Sequence, residues 1–310
     1  MLGGLMNRLG KWTALFATAR VANVPSVICN VWLGVAVGGW GSLAIPWTHA
    51  VFLAAAGVML YVGGNFLNDW MDRDWDARQR PERALPRGVF SAGGYLAAAV
   101  CLLAVGVGTA WVAQPRSGWV AVGIVGWILI YTVWHKRSAW AVVAMGLCRA
   151  LLPVMGFLAL QPYVDMIWPV AAALFCYIMG LSLSARYESL SEPPPWARVT
   201  ARGLLLLAAV LVAWGNKALI LDRLPSVCGA LPYLAWTSFC LKFRRRPLSR
   251  LVSGLLAGIP LVDAMVLLPL GVTCMNASSN GALAPVIVCF LMPALAFISA
   301  LWLQRLAPAT

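Results

Sequence analysis

Apolar runs long enough to cross a bilayer recur from one end of this chain to the other, and they leave little choice of architecture. They are read at 13–39, 48–69, 92–113, 118–134, 139–160, 166–187, 198–216, 225–243, 250–272 and 281–303. About 20 apolar residues in a helix cover roughly 30 Å of hydrocarbon. Inside lipid a segment must satisfy its own backbone polar groups, which helices and closed barrels do. These runs are continuous rather than alternating, so the expected fold is all-α: a polytopic transmembrane helical bundle. Only 11% of residues are charged, against roughly 25% in soluble domains, and mean hydropathy is +0.82. A soluble enzyme is excluded. The first run contains Arg20, continues past Trp32 and lacks a small-x-small cleavage site, so it reads as a first membrane helix rather than a signal peptide.

A net charge of +13 invites a nucleic-acid partner, but the distribution of the charge argues for a membrane instead. With the N-terminus taken as cytoplasmic, the loops and helix ends on that side hold eighteen of the Lys and Arg residues. The opposite side holds only Arg116, Lys217 and Arg223. That is the positive-inside pattern. It predicts an integral, multi-pass protein of a bacterial inner (plasma) membrane, with both termini and loops 70–91, 135–138, 188–197 and 244–249 in the cytoplasm. Many of the sixteen tryptophans fall at expected helix ends, as interfacial aromatic belts do. The eight cysteines form no CxxC or His/Cys cluster and read as small hydrophobes. His49 and His135 lie too far apart in sequence to suggest a metal site by themselves.

Seven of the ten acidic residues fall in just two of the expected cytoplasmic segments. In the first, "NDWMDRDWDARQRPERALPRG", Asn68, Asp72 and Asp76 repeat every four residues with Asp69 alongside. If the second helix runs on past the membrane edge, these side chains share one face. Like charges at that spacing repel, so the face calls for a cation. Carboxylate and amide oxygens are hard ligands of the kind Mg²⁺ takes together with substrate phosphates. The second segment, "SARYESLSE", places Glu188 and Glu192 four residues apart at the end of the sixth run. Four crossings separate the two segments, and an even number returns the chain to the same side. Both can therefore face one cavity, where two acidic helix ends would hold Mg²⁺ against a diphosphate.

Cations stand close by. Arg78, Arg80, Arg83 and Arg87 follow the first acidic face, and Lys136 and Arg137 end the fourth run in "YTVWHKR". Guanidinium forks and a lysine suit phosphate oxygens, although positive-inside anchoring accounts for each arginine taken singly. Within apolar runs, charges default to function. Arg20, with Asn23 and Asn30 as polar company, suits a substrate carboxylate or phosphate, while Arg149 and Asp263 either serve substrate or pair with each other.

At "NDWMDRDWDARQRPERALPRG" the chain resembles the UbiA superfamily of intramembrane prenyltransferases, whose first motif is NDxxDxxxD followed by a run like NRPxRPLPxG. Tyr131 to Arg137 is similar to that family's "YP…KR" segment. The resemblance implies a single membrane domain over 1–310, with motif loops near 68–91 and 186–197. It also implies a helical bundle of nine to ten helices around a central cavity open to lipid. Its activity would be Mg²⁺-dependent transfer of an isoprenyl group from an isoprenyl diphosphate to a small aromatic or hydroxyl acceptor. In those terms Asn68, Asp69, Asp72, Asp76, Glu188 and Glu192 are the metal set, and Asn68, Asp72, Asp76 and Glu188 the catalytic one. Arg20, Asn23, Arg80, Arg83, Tyr131, Lys136, Arg137 and Arg149 are the substrate-binding candidates. The chain departs from the family where its second motif, typically DxxxD, is here Glu188 and Glu192. The end of the sixth run and "GLCR" resemble the EboC-like branch. The rival reading is a transport or lipid-handling member of the same fold. A CDP-alcohol phosphotransferase is disfavoured because its DGxxAR…GxxxDxxxD pattern is absent.

Overall fold

The computed structural model describes residues 2–39, 46–188, 192–219, 221–277 and 283–306. Residues 189–191 of the second acidic segment and 281–282 of the last expected run lie outside them. Among the described residues there are twelve α-helices, a short 3-10 turn and no strand. The helices are α1 (Leu2–Ala19), α2 (Val24–Gly38), α3 (Trp47–Gln79), α4 (Ala92–Ala113), α5 (Pro115–Trp134) and α6 (Ala141–Phe157). They continue with α7 (Trp168–Arg186), α8 (Pro195–Ala218), α9 (Arg223–Phe243), α10 (Leu248–Ala257), α11 (Ile259–Ala277) and α12 (Leu283–Leu306).

Among the described residues nine segments are long and apolar enough to cross a membrane, and α6 is a shorter apolar helix occupying the fifth expected run, 139–160. This is the all-α, multi-pass bundle that the apolar runs predict, with two breaks that they do not reveal. The first run is not one helix. Arg20 takes a left-handed backbone (φ 48°), a 3-10 turn follows at Val21–Asn23, and α2 starts with a proline in its first turn. Arg20 therefore sits at the mouth of a membrane helix and not well inside one, as the run had suggested. In the ninth run α10 and α11 meet at Gly258, followed by Pro260. A Cβ on Gly258 would lie 2.7 Å from the Tyr177 hydroxyl oxygen, so the break also lets α7 approach closely.

Burial divides the helices into two shells. The α2 span is 78% buried and the α10–α11 span 83%, whereas α4, α9 and α12 lie between 22% and 28%. Outer helices therefore turn their apolar faces to lipid, where an apolar residue costs nothing. Inner helices cross closely at glycines. A Cβ on Gly34 of α2 would lie 1.9 Å from the Pro153 carbonyl oxygen of α6, and one on Gly156 2.2 Å from the Val31 carbonyl oxygen. Such small-residue contacts replace the hydrophobic drive that lipid removes.

The element that positions the site is α3. Its 33 residues span about 50 Å at 1.5 Å per residue, well beyond the roughly 30 Å hydrocarbon core, so its last turns project past the membrane. It ends at Gln79, just before Arg80, because Pro81 disfavours helix at the residue preceding it.

Candidate active site

The projecting end of α3 carries the acidic repeat, and the repeat is buried. Asn68 and Asp72 are each 7% exposed and Asp76 only 1%. Carboxylates buried at this spacing require compensation, and three elements supply it. From the turn after α5, Lys136 Nζ lies 2.6 Å from Asp72 Oδ1 and His135 Nε2 lies 3.1 Å from Asp72 Oδ2. From the loop after α3, Arg83 Nη1 donates to Asp76 Oδ2 at 2.8 Å and to Asp69 Oδ1 at 3.4 Å. From the α1–α2 break, Arg20 Nη1 donates to Asn65 Oδ1 at 3.3 Å, and its Nη2 stands 3.9 Å from Asp69 Oδ1.

Two oxygens on the repeat have no partner: Asn68 Oδ1 and Asp76 Oδ1 are both buried and make no hydrogen bond. They are the hard donors that Mg²⁺ takes. Among the described residues, no three His, Cys, Asp or Glu side chains gather as a ready metal cage. A site supplying two or three oxygens and leaving the rest to diphosphate and water matches the way Mg²⁺ is commonly held. The residues fit the ion as a partner of substrate, not as a resident of a closed cage.

All of this borders one cavity of about 640 Å³, within the range of about 300–1,000 Å³ usual for small-molecule sites. Asn68, Asp72, Asp76, Arg20, Arg80, Arg83, Lys136 and Tyr131 line its polar end, and Asn23 and Arg149 lie farther in. Much of the remaining wall is apolar, with Leu60, Ile124, Ile128, Leu152, Ile178, Leu181, Val252 and Ile259. Asp69 is absent from the lining, since it faces the two arginines that it anchors.

The second acidic segment divides. Glu188 lines the cavity, and burial pushes its carboxyl above the ordinary glutamate value, with the Arg80 charge pulling it back. Glu192 does not line it. Its carboxylate pairs with Arg246 beside a separate pocket that Arg198 and Arg202 also line. The expectation that both glutamates share one helical face is corrected: α7 ends at Arg186, before either of them. The run Pro193–Pro194–Pro195 disfavours helix at Glu192. Arg137 is exposed and outside the lining. Arg186 is there instead, donating from Nη1 to the carbonyl oxygens of His135 and Ser138 at 2.9 and 3.2 Å, which pins the α5–α6 turn against α7. Of the two alternatives for Arg149 and Asp263, the ion pair is not formed among the described residues; Asp263 accepts instead from Asn30 Nδ2, at 2.8 and 2.7 Å.

Sequence reasoning misses His135, Trp75 and Tyr61. His135 was weighed only against a distant histidine, yet it directly precedes Lys136, and both reach Asp72. Its ring stacks on Tyr131 with centroids 5.1 Å apart. Its Nδ1 lies 3.1 Å from the Thr132 carbonyl oxygen, so both ring nitrogens face oxygen acceptors. Trp75, one residue before Asp76, lies under the Lys136 ammonium, 4.2 Å from the ring centroid, a cation–π contact that fixes the lysine.

Known proteins share both the sequence pattern and the fold. The chain is 29% identical over 215 residues to a protoheme IX farnesyltransferase of Acidiphilium cryptum, a match covering 58% of this chain and 68% of that one. It is 43% identical over 93 residues to a digeranylgeranylglyceryl phosphate synthase of Thermococcus kodakarensis, covering 29% and 30%. In fold it is similar to a UbiA homologue of Aeropyrum pernix K1 solved in the apo state. That likeness has a TM-score of 0.65 at 14% identity and covers 81% of this chain and 98% of that one. A UbiA homologue of Archaeoglobus fulgidus gives a TM-score of 0.55 at 14% identity, over 94% and 99%. These matches carry the family level and do not reach the EboC-like branch. Residues 24–190, more than half of the chain and both acidic segments up to Glu188, match the UbiA prenyltransferase family, and the chain belongs to it.

Proposed function

We propose that the protein, working as one membrane domain over 1–310, transfers an isoprenyl group from a Mg²⁺-bound isoprenyl diphosphate to a small acceptor. The observation that carries this reading is the pair of unpartnered buried oxygens, Asn68 Oδ1 and Asp76 Oδ1. They lie beside arginines and a lysine, at the polar end of a cavity whose remaining wall is largely apolar. A diphosphate matches the polar end and an isoprenyl tail matches the wall. The relatives' names, a farnesyltransferase and a digeranylgeranylglyceryl phosphate synthase, agree with that substrate class.

Mg²⁺, when bound, neutralises charge on the departing diphosphate. Asn68, Asp72, Asp76 and Glu188 are the residues to hold it. Arg20, Arg80, Arg83 and Lys136 bind diphosphate oxygens and favour the additional negative charge that grows on them as the C1–O bond breaks. The bonding pair leaves with the diphosphate, and the allylic C1 becomes electron-poor. Leu60, Ile128, Ile178 and Leu181 keep water from it. The acceptor nucleophile forms the new bond to C1 and loses a proton. Lys136 and His135 then play a second part: with no diphosphate bound they occupy Asp72, so substrate exchanges their partner instead of exposing a bare carboxylate. The arginine bias supports placing this end in the cytoplasm.

The test is to incubate purified protein with geranylgeranyl diphosphate, Mg²⁺ and a panel of acceptors, and to follow diphosphate release and product mass. Release and a prenylated product that both vanish in Asp72→Asn support the reading. A protein that binds the diphosphate but never releases it would instead be a lipid-handling member of the fold.

A further inference from the structure

Of the described cations only Arg149 is classed as buried, at 7% exposed, and it lies midway along α6 on the cavity wall. Its Nη2 donates to Ser26 Oγ at 2.6 Å, whereas its Nη1 is buried with no hydrogen-bond partner. The guanidinium lies over the Tyr61 ring at 5.7 Å, and the Tyr61 hydroxyl accepts from Asn23 Nδ2 at 3.1 Å, leaving Asn23 Oδ1 unpartnered as well. No carboxylate forms an ion pair with Arg149 among the described residues, and the nearby Asp263 is held by Asn30 through both of its oxygens. A buried guanidinium with one nitrogen unpartnered is costly in a bilayer, and its free N–H groups call for an acceptor.

Tyr61 stands seven residues before Asn68 on α3, about 10 Å farther along the helix axis. The shelf of Arg149, Asn23 and Tyr61 is thus removed from the diphosphate end by about the length of a small molecule. Arg20 and Arg83 stand on the acidic repeat at the diphosphate end, whereas Arg149 stands on the shelf with its Nη1 open to a different ligand.

We propose that Arg149 is a specificity residue for the acceptor, binding one oxyanion on it, a carboxylate or a phosphate ester, at the inner end of the cavity. This rests on the prenyl-transfer reading above and names the acceptor class within it. The acceptor's anion docks on the guanidinium, so its nucleophilic atom points back toward C1.

The test uses matched pairs of probes: 4-hydroxybenzoate against its methyl ester, and a glyceryl ether phosphate against the same ether without phosphate. Binding is measured by titration to protein saturated with geranylgeranyl thiolodiphosphate and Mg²⁺. One anion should bind at least about tenfold more tightly than its neutral twin, as expected for a buried hydrogen bond to a charged group. Which pair discriminates identifies carboxylate or phosphate as the source. The preference should disappear in Arg149→Gln and persist in part in Arg149→Lys, while affinity for the thiolodiphosphate changes less than about threefold. Asp263→Asn should keep the preference. The proposal is overturned if neither anion outbinds its twin, if the preference survives Arg149→Gln, or if Arg149→Gln and Asp263→Asn lose stability and preference together. Failure of the wild type to bind thiolodiphosphate would contradict the prenyl-transfer reading separately.

Discussion

Lys136 Nζ and Asp72 Oδ1 stand 2.6 Å apart, joining the turn after α5 to the middle of the acidic repeat on α3. The contact makes Asp72 the meeting point of the two family-like motifs. It predicts that Asp72→Asn lowers kcat by about 10²–10³-fold, the range for removing one preorganised electrostatic contact in a catalytic site. Thermal stability should change little by comparison, because the substitution removes a buried charge from a paired site and retains its shape. Turnover and unfolding measured on one preparation separate the two effects.

The two glutamates of the second segment should behave differently. Glu188 lines the cavity and Glu192 is paired with Arg246 outside it. Glu188→Gln is expected to lose about 10–100-fold in Mg²⁺-dependent activity, and Glu192→Gln to stay within about twofold, as exposed ion pairs contribute little. Equal losses would restore the single acidic face that the sequence suggests.

Burial raises the Glu188 carboxyl, which fixes the sign of a pH effect. As pH falls, a carboxyl with a raised value takes up its proton earlier than an ordinary glutamate and stops serving as an anionic ligand. Mg²⁺ affinity should therefore begin to fall above the usual glutamate range, about pH 4.3. In Glu188→Gln that acid-side decline should be missing from a pH series of Mg²⁺ titrations.

The α2–α6 crossing sets a stability prediction independent of chemistry. Gly34→Leu places a Cβ 1.9 Å from a backbone oxygen, and overpacking of this kind costs about 1–3 kcal/mol or more. Gly108, with nothing within 4 Å of its would-be Cβ, should accept alanine without loss. Thermal unfolding in detergent compares the two.

The extent to which sequence foretold these features follows from the range of the interactions involved. Long apolar runs report a local requirement, and each of the ten corresponds to a helix or a pair of abutting helices. The repeat Asn68, Asp72 and Asp76 was legible for the same reason, since helical spacing alone puts the three on one face. The break at Arg20 depends on one left-handed residue, which hydropathy does not register. Glu192 stands apart from Glu188 because four-residue spacing implies a shared face only while the helix lasts, and α7 ends before it. His135 adjoins Lys136 in sequence, but its contact with Asp72, like that of Arg149 with Tyr61, arises from packing between helices remote in sequence, of which a single chain carries no local trace.

Asn68 and Asp76 leave oxygens open, and on the proposed function these receive a Mg²⁺-diphosphate that the protein holds only in combination. Titration of geranylgeranyl thiolodiphosphate with and without Mg²⁺, in wild type and in Asn68→Ala with Asp76→Asn, tests it most directly. Binding to wild type should be tight only with Mg²⁺, abolished by EDTA, restored by added Mg²⁺, and weakened at least about tenfold in the double variant. Binding of the same strength without Mg²⁺, or undiminished in the double variant, would contradict it.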